Sequence, residues 1–264
     1  MTISPRHDAS AKRTGAARRG ASPQSVQNPD RQLCRWGGVA GLAGAILMLG
    51  AGAVVGVLAL PDASDVETLT DFADIKSGRI AENTLYLGAL MMFALHTFVL
   101  YLLLKTAHPA AALFGTVTAA FGLVIMAASS LLHVATSPLA DLYTASDTPP
   151  EDLASIEYAW HGAQSVFDTM LATGVLLVPI GIVLLGVAMR GAPTFGPRLT
   201  WLTIGLGTAG IIGAAIEVVD PALEVSAASV LAIVVFNLST GWRMLTVGND
   251  AGADLTDQEP TLVD

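Results

Sequence analysis

Six long stretches of the chain contain no Asp, Glu, Lys or Arg. They run over 36–61, 83–104, 106–140, 169–189, 199–216 and 225–242. A helix needs roughly 20 apolar residues to cross a hydrocarbon layer about 30 Å thick, and the two shortest stretches reach that length with flanking apolar residues. None of them shows the polar–apolar alternation of a membrane β-barrel. The chain is therefore predicted to be all-α, a polytopic transmembrane bundle of six helices.

Composition agrees with a membrane protein and excludes other classes. Hydrophobic residues make up 53% of the chain and charged residues 13%, with a mean hydropathy of +0.60. Soluble domains carry about 25% charged residues. The net charge of −9 argues against nucleic acid as a partner. A single cysteine, Cys34, excludes an internal disulfide.

The predicted organisation has three parts. A disordered basic tail covers 1–34, a six-span transmembrane domain covers 35–246, and a disordered acidic tail covers 247–264, since neither tail has an apolar period. The predicted spans are 36–60, 83–104, 110–134, 165–189, 199–219 and 223–243.

The basic residues predict the orientation of the bundle. If the amino terminus is cytoplasmic, all of the 13 Lys and Arg except Lys76 and Arg79 fall on the cytoplasmic side. This is the positive-inside pattern, and Trp and Tyr gather at the predicted span ends as expected. Both termini are predicted to be cytoplasmic, in a plasma (inner) membrane.

Two connections predicted to face outward contain helix signals. A capping-box pattern over 64–67 predicts a short surface helix that ends near Gly78. Pro149 and Pro150, followed by acidic residues, predict the start of a long helix that continues to Met189.

Polar residues at the outer ends of the third, fourth and fifth spans form the main candidate site. They are Glu157, His161, Gln164, Ser165 and Asp168 on one stripe of the fourth helix, His133 on the third span and Glu217 on the fifth. Intramembrane polar residues are costly and are functional candidates by default. Histidine and carboxylate together suggest ligand binding or a proton relay. The competing interpretation is that these groups are solvated at the headgroup level.

Helix geometry argues against a metal site within the stripe. His161 and Asp168 are separated by about 10.5 Å along the helix axis, too far for one ion with a coordination shell of about 2 Å. Glu157 and His161 could share an ion only with help from His133 or Glu217. No metal and no cofactor is predicted.

His96 is a separate candidate because it lies past the midpoint of the second span. Asn237, in the sixth span, lies at a comparable depth, so a hydrogen bond between the two helices is one interpretation. A role in proton or ligand transfer is the other.

Glycines recur at helix-packing intervals. Residues 205–210 match the dinucleotide-binding pattern GxGxxG, but they lie inside a span without the required preceding strand. Close packing of helices explains the spacing better, as it does for Gly37 with Gly41 and Gly52 with Gly56. Self-association through such faces is an expected partner interaction.

Three motifs carry a resemblance to a known family. They are Asn-Thr-Leu-Tyr-Leu-Gly at 83–88, Leu-Leu-Gly-Val-Ala-Met-Arg-Gly at 184–191 and Phe-Gly-Pro-Arg-Leu-Thr-Trp-Leu at 195–202. With them, residues 34–246 resemble a prokaryotic family of uncharacterised six-helix integral membrane proteins. The resemblance implies the fold and a prokaryotic membrane, but no activity, cofactor or site residue.

Three functions are consistent with these features. The first is a non-enzymatic membrane protein that binds or passes a small solute or lipid at an outer-facing vestibule. The second is a membrane-embedded metal- or haem-dependent enzyme or redox protein that uses His133, His161, Asp168 and Glu217. The third is a structural or regulatory subunit of a membrane complex. The lipid bilayer is the expected surrounding in each case.

Overall fold

The computed structural model describes residues 28–60, 67–219 and 226–253, and these ranges contain helices and no strand. In chain order the helices are α1 (Asn28–Leu58), α2 (Glu67–Leu104), α3 (Pro109–Ala135), α4 (Ser137–Thr144), α5 (Pro150–Met189), α6 (Gly196–Val219) and α7 (Ser226–Ala253).

Every helix except α4 contributes a segment long and apolar enough to cross a membrane, which gives 6 candidate spans in the described ranges. Large apolar side chains cover the outer surface; Val57, Phe121 and Val124 are exposed by 83%, 66% and 66%. Such a surface suits a lipid environment, since large apolar patches in water cause aggregation. The predicted all-α bundle of six transmembrane helices is confirmed.

The six spanning helices form a closed ring in chain order. Each packs on the helices before and after it, and α7 packs on α1 to close the ring. Weaker contacts of α2, α5 and α7 with one another cross the centre. Fully buried Phe93, Ile182 and Phe236, from these same three helices, contribute to its core.

Both ends of the described chain lie at the same end of the ring. Gly248 of α7 packs against Arg35 of α1, where an added Cβ would lie 2.9 Å from Cγ of Arg35. We call this the terminal end. The opposite end, where Gly78 of α2 approaches Leu58 of α1, is called the loop end.

The first and last helices extend beyond the predicted domain boundaries. α1 begins at Asn28, within the predicted tail 1–34, and α7 continues to Ala253, within the predicted tail 247–264. A helix need not end where the hydrocarbon layer ends, and these extensions pack on each other at Gly248. The rest of both predicted tails lies outside the described residues.

The predicted short surface helix before the second span is wrong. α2 is continuous from Glu67 to Leu104 and passes through Gly78. A glycine inside a helix costs only about 1 kcal/mol. The missing side chain of Gly78 lets α1 approach closely, because an added Cβ would lie 2.9 Å from Cδ1 of Leu58. Ser64, the first residue of the capping pattern, lies outside the described residues.

The long helix predicted after the second loop is confirmed. α5 begins at Pro150, with Glu151 and Asp152 in its first turn, and continues to Met189. Proline fits a first helical position because no hydrogen bond is lost there, and acidic side chains stabilise the positive helix end. The short α4 before it was not predicted.

Glycines set the close approach of neighbouring helices. An added Cβ at Gly122 would lie 2.9 Å from the carbonyl oxygen of Gly174, and one at Gly207 would lie 2.8 Å from that of Pro179. The GxGxxG stretch therefore packs α6 on α5. No described atom beyond the local helix lies within 4 Å of a Cβ added at Gly52 or Gly56.

Candidate functional site

The polar stripe predicted on the fourth span divides in the structure. His161 and Asp168 are exposed, whereas Gln164 is 3% exposed and faces the bundle. Glu157 is half-buried and accepts a hydrogen bond of 3.0 Å from the Tyr143 hydroxyl of α4. The stripe thus has an outward edge and one buried amide.

The other predicted loop-end residues do not add a ligand cluster. Glu217 is half-buried near the end of α6, and the side chain of His133 lies outside what the structure describes. In the described part of the chain, no three His, Cys, Asp or Glu side chains are placed to hold a metal ion. No geometry in these ranges favours the metal-dependent alternative.

A buried polar network joins α2 to α3 near the loop end. Arg79, with a side chain only 9% exposed, donates to Oε2 of Glu82 at 3.0 Å. Asn83 donates to the backbone carbonyl of Arg79 at 2.9 Å, and its Oδ1 accepts a 2.7 Å hydrogen bond from Ser130. This places an ion pair within the candidate span that begins at Asp74.

Gln164 lies at the depth of this network. Gly122 and Gly174 mark a crossing point of the antiparallel α3 and α5. Gln164 lies ten residues before Gly174 on α5, and residue 132 lies ten residues after Gly122 on α3, so the two are at the same level. Ser130 is two residues, or about half a turn, from that level. We refer to Arg79, Glu82, Asn83, Ser130 and Gln164 as the polar layer.

The polar layer has unused hydrogen-bonding capacity. Neither Nε2 nor Oε1 of Gln164 has a hydrogen-bond partner among the described residues. The buried hydroxyl of Tyr86, one turn after Glu82 on α2, also has none within those ranges. A buried polar group left unpaired costs about 1–3 kcal/mol, so such groups usually contact ordered water or a ligand.

The network was only partly foreseeable from sequence. The charge-free stretch predicts a span that begins at 83, which leaves Arg79 and Glu82 just outside it. Gln164 was part of the predicted stripe, but its burial could not be distinguished from the exposure of His161. The signal that could have identified them is their spacing, since Arg79, Glu82 and Asn83 share one helix face.

His96 joins three helices at the other buried polar position. It is fully buried, with Nδ1 2.7 Å from the Gly37 carbonyl oxygen of α1 and Nε2 2.8 Å from Oγ1 of Thr240 on α7. A carbonyl oxygen only accepts, so Nδ1 donates to Gly37. In the neutral imidazole, Nε2 is an acceptor. The single hydroxyl hydrogen of Thr240 serves either Nε2 or the Phe236 carbonyl oxygen, which lies 2.6 Å from Oγ1.

Asn237 is not the partner of His96. Its Nδ2 donates to the carbonyl oxygen of Ile233 at 2.9 Å, so it bonds within its own helix. The hydrogen bond considered between α2 and α7 is made by Thr240, three residues further along. His96 is enclosed by packing and hydrogen bonds, which fits a structural crosslink better than a ligand site.

A cavity of about 470 Å³ lies beside α4 and α5 at the loop end. Leu139 and Ile156 contribute apolar wall, and Asp147 and Asp152 contribute carboxylates. These two acids are exposed. The polar layer is the stronger candidate because its polar groups are withdrawn from solvent, where hydrogen bonds discriminate between ligands.

Comparison of the chain with models of protein families, with curated proteins and with solved structures finds no match.

Proposed function

We propose that this integral membrane protein binds a small polar solute in the polar layer, between α2, α3 and α5. The observation that carries the proposal is Gln164, a buried amide whose donor and acceptor are both unused among the described residues. A solute with its own donor and acceptor would pair with both groups. Binding would then recover the free energy lost on burying the amide.

The charged pair at the depth of Gln164 supports the same proposal. Isolated charges are expensive inside a membrane and are usually functional. Arg79 and Glu82 largely neutralise each other, so the layer can accept a neutral or zwitterionic solute without a net charge.

The proposal assigns the loop end to the outside of the cell. It rests on the basic residues, since Arg35, Arg190 and Arg198 all belong to the opposite, terminal end. The solute would then enter the layer from the outer side.

Trp160 provides a direct test of solute binding. It is 1% exposed and lies one turn before Gln164, whereas Trp36, Trp201 and Trp242 are exposed by 70%, 59% and 64%. Replacing these three with Phe leaves Trp160 as the single indole reporter. We expect its emission to shift saturably with at least one of glycine, glutamine, glycerol or urea, and this response to disappear in Gln164→Leu.

Ser165→Leu is the matched control, because it adds the same side chain to the neighbouring, exposed position. It should keep the Trp160 response. The proposal fails if none of the four probes changes the emission, or if folded Gln164→Leu responds as the parent does. Monodispersity and helical content establish that each variant is folded.

A further inference from the structure

A second cavity lies at the terminal end, where α5 ends and α6 begins. Its volume is about 500 Å³, and residues 190–197 form much of its wall. Arg190, Thr200 and Trp201 supply side chains of different character, and no acidic residue is among the described residues that line it. The cavity is therefore basic and aromatic, unlike the acidic cavity at the loop end.

The guanidinium of Arg190 is held against an aromatic ring, and its N–H donors have no partner among the described residues. Its Cζ lies 4.8 Å from the centroid of the Trp201 ring, a cation–π contact. It forms no hydrogen bond or ion pair with the residues that the structure describes. The planar fork of donors on an arginine matches the oxygens of a phosphate group, and stacking on a ring reduces the freedom lost on binding.

The cavity wall is held in place by neighbouring helices. Arg243 of α7 donates from Nε to the carbonyl oxygen of Thr194 at 2.8 Å. Phe195 is 3% exposed, and Gly196 has a φ of 66°, a conformation that favours glycine. The connection between α5 and α6 is thus held in one conformation by these contacts, and the cavity is formed without a ligand.

The surroundings add positive charge at the level of a lipid headgroup. The candidate spans end at Met189 and begin again at Gly196, so the predicted edge of the hydrocarbon layer falls at the cavity. Arg198 is exposed at the same end. Trp201 is half exposed, as is common at the membrane boundary.

We propose that this cavity binds a phosphate group, supplied by the headgroup of an anionic phospholipid or by a soluble phosphate ester. Arg190 would hold the phosphate oxygens while Trp201 keeps the guanidinium in position. Basic pockets between helices at the cytoplasmic surface commonly bind anionic headgroups. The site is separate from the polar layer at the opposite end, so either proposal can fail without the other.

Native mass spectrometry of the full chain in detergent tests the site. We expect more phosphatidylglycerol than phosphatidylcholine to stay bound, and Arg190→Gln to lower the retention of phosphatidylglycerol by about tenfold, the size of one charge-assisted hydrogen bond. Lys105→Gln removes the same charge from the same end without lining the cavity, and it should leave retention unchanged. Arg190→Lys should be intermediate, because lysine keeps the charge and loses the fork.

A soluble ester separates the two sources of phosphate. A variant with Trp36, Trp160 and Trp242 replaced by Phe leaves Trp201 as the reporter, and glycerol phosphate is titrated against its emission. A saturable shift that Arg190→Gln abolishes assigns the site to soluble esters, whereas retention of phosphatidylglycerol without such a shift assigns it to lipid. Equal retention of both lipids together with no shift overturns the proposal, as does an equal loss of retention in Arg190→Gln and Lys105→Gln.

Discussion

At the scale of single residues, each polar side chain buried in the bundle affects stability according to whether it has a hydrogen-bond partner. His96 is 0% exposed, yet both ring nitrogens are within hydrogen-bond distance of a partner on another helix. Gln164 is buried to a similar degree and has no such partner in the described part of the chain. The first arrangement stabilises the fold, and the second leaves capacity for a ligand.

Replacing His96 with Ala should destabilise the protein by about 2–4 kcal/mol, because it removes the ring's polar contacts with Gly37 and Thr240 on two other helices and leaves a cavity. The measurement is reversible unfolding in mixed detergent. His161→Ala makes the same substitution at an exposed position and should change stability by less than about 0.5 kcal/mol. Equal stability of the two variants would contradict the crosslinking role of His96.

At the scale of helices, glycine placement decides how closely neighbours approach. Among the described glycines between α5 and α3, Gly181 has the closest backbone contacts: an added Cβ would lie 2.6 Å from the backbone nitrogen of Ala119 and from the carbonyl oxygen of Gly115. Backbone atoms cannot move aside as a flexible side chain can. Even one methyl group at this position must separate the helices.

Gly181→Ala should therefore destabilise the bundle by about 1–3 kcal/mol. Gly205→Ala is the control with the opposite expected sign: no described atom outside the local helix lies within 4 Å of the added Cβ. Alanine favours a helix by about 1 kcal/mol over glycine, so this variant should be as stable as the parent or more so. Thermal unfolding of both in one detergent compares them, and a tolerated Gly181→Ala would refute the packing argument.

At the scale of the whole molecule, six spanning helices bring both ends of the described chain to one end of the ring. That the terminal end faces the cytoplasm is a prediction from the basic residues. This orientation also decides which side of the membrane gives access to the polar layer and which side gives access to the basic cavity.

Reporter fusions test this orientation in cells. Alkaline phosphatase, which is active only outside the cytoplasm, should be inactive when fused after Asp264. It should be active when fused after Asp147, in the connection between α4 and α5. The reverse pattern would invert the molecule and place the polar layer on the cytoplasmic side.

The number of crossings could be predicted from sequence because it depends on length and charge alone. A segment without charged residues that is long enough to span the hydrocarbon layer has a strong preference to do so. The start of α5 at Pro150 could also be predicted, because the prolines and acidic residues that mark it are neighbours in the sequence. The continuity of α2 through Gly78 could not, because contact with α1 outweighs the low helix propensity of glycine.

Which polar residues meet was decided only by the tertiary structure. Helices that are apolar on all sides carry little information about which face turns inward. Depth placed His96 level with Asn237, but rotation of α7 about its axis presented Thr240 instead. In the same way, the rotation of α5 about its own axis buries Gln164 and exposes His161. Sequence thus determined how many helices cross the membrane, and packing determined which side chains the bundle encloses.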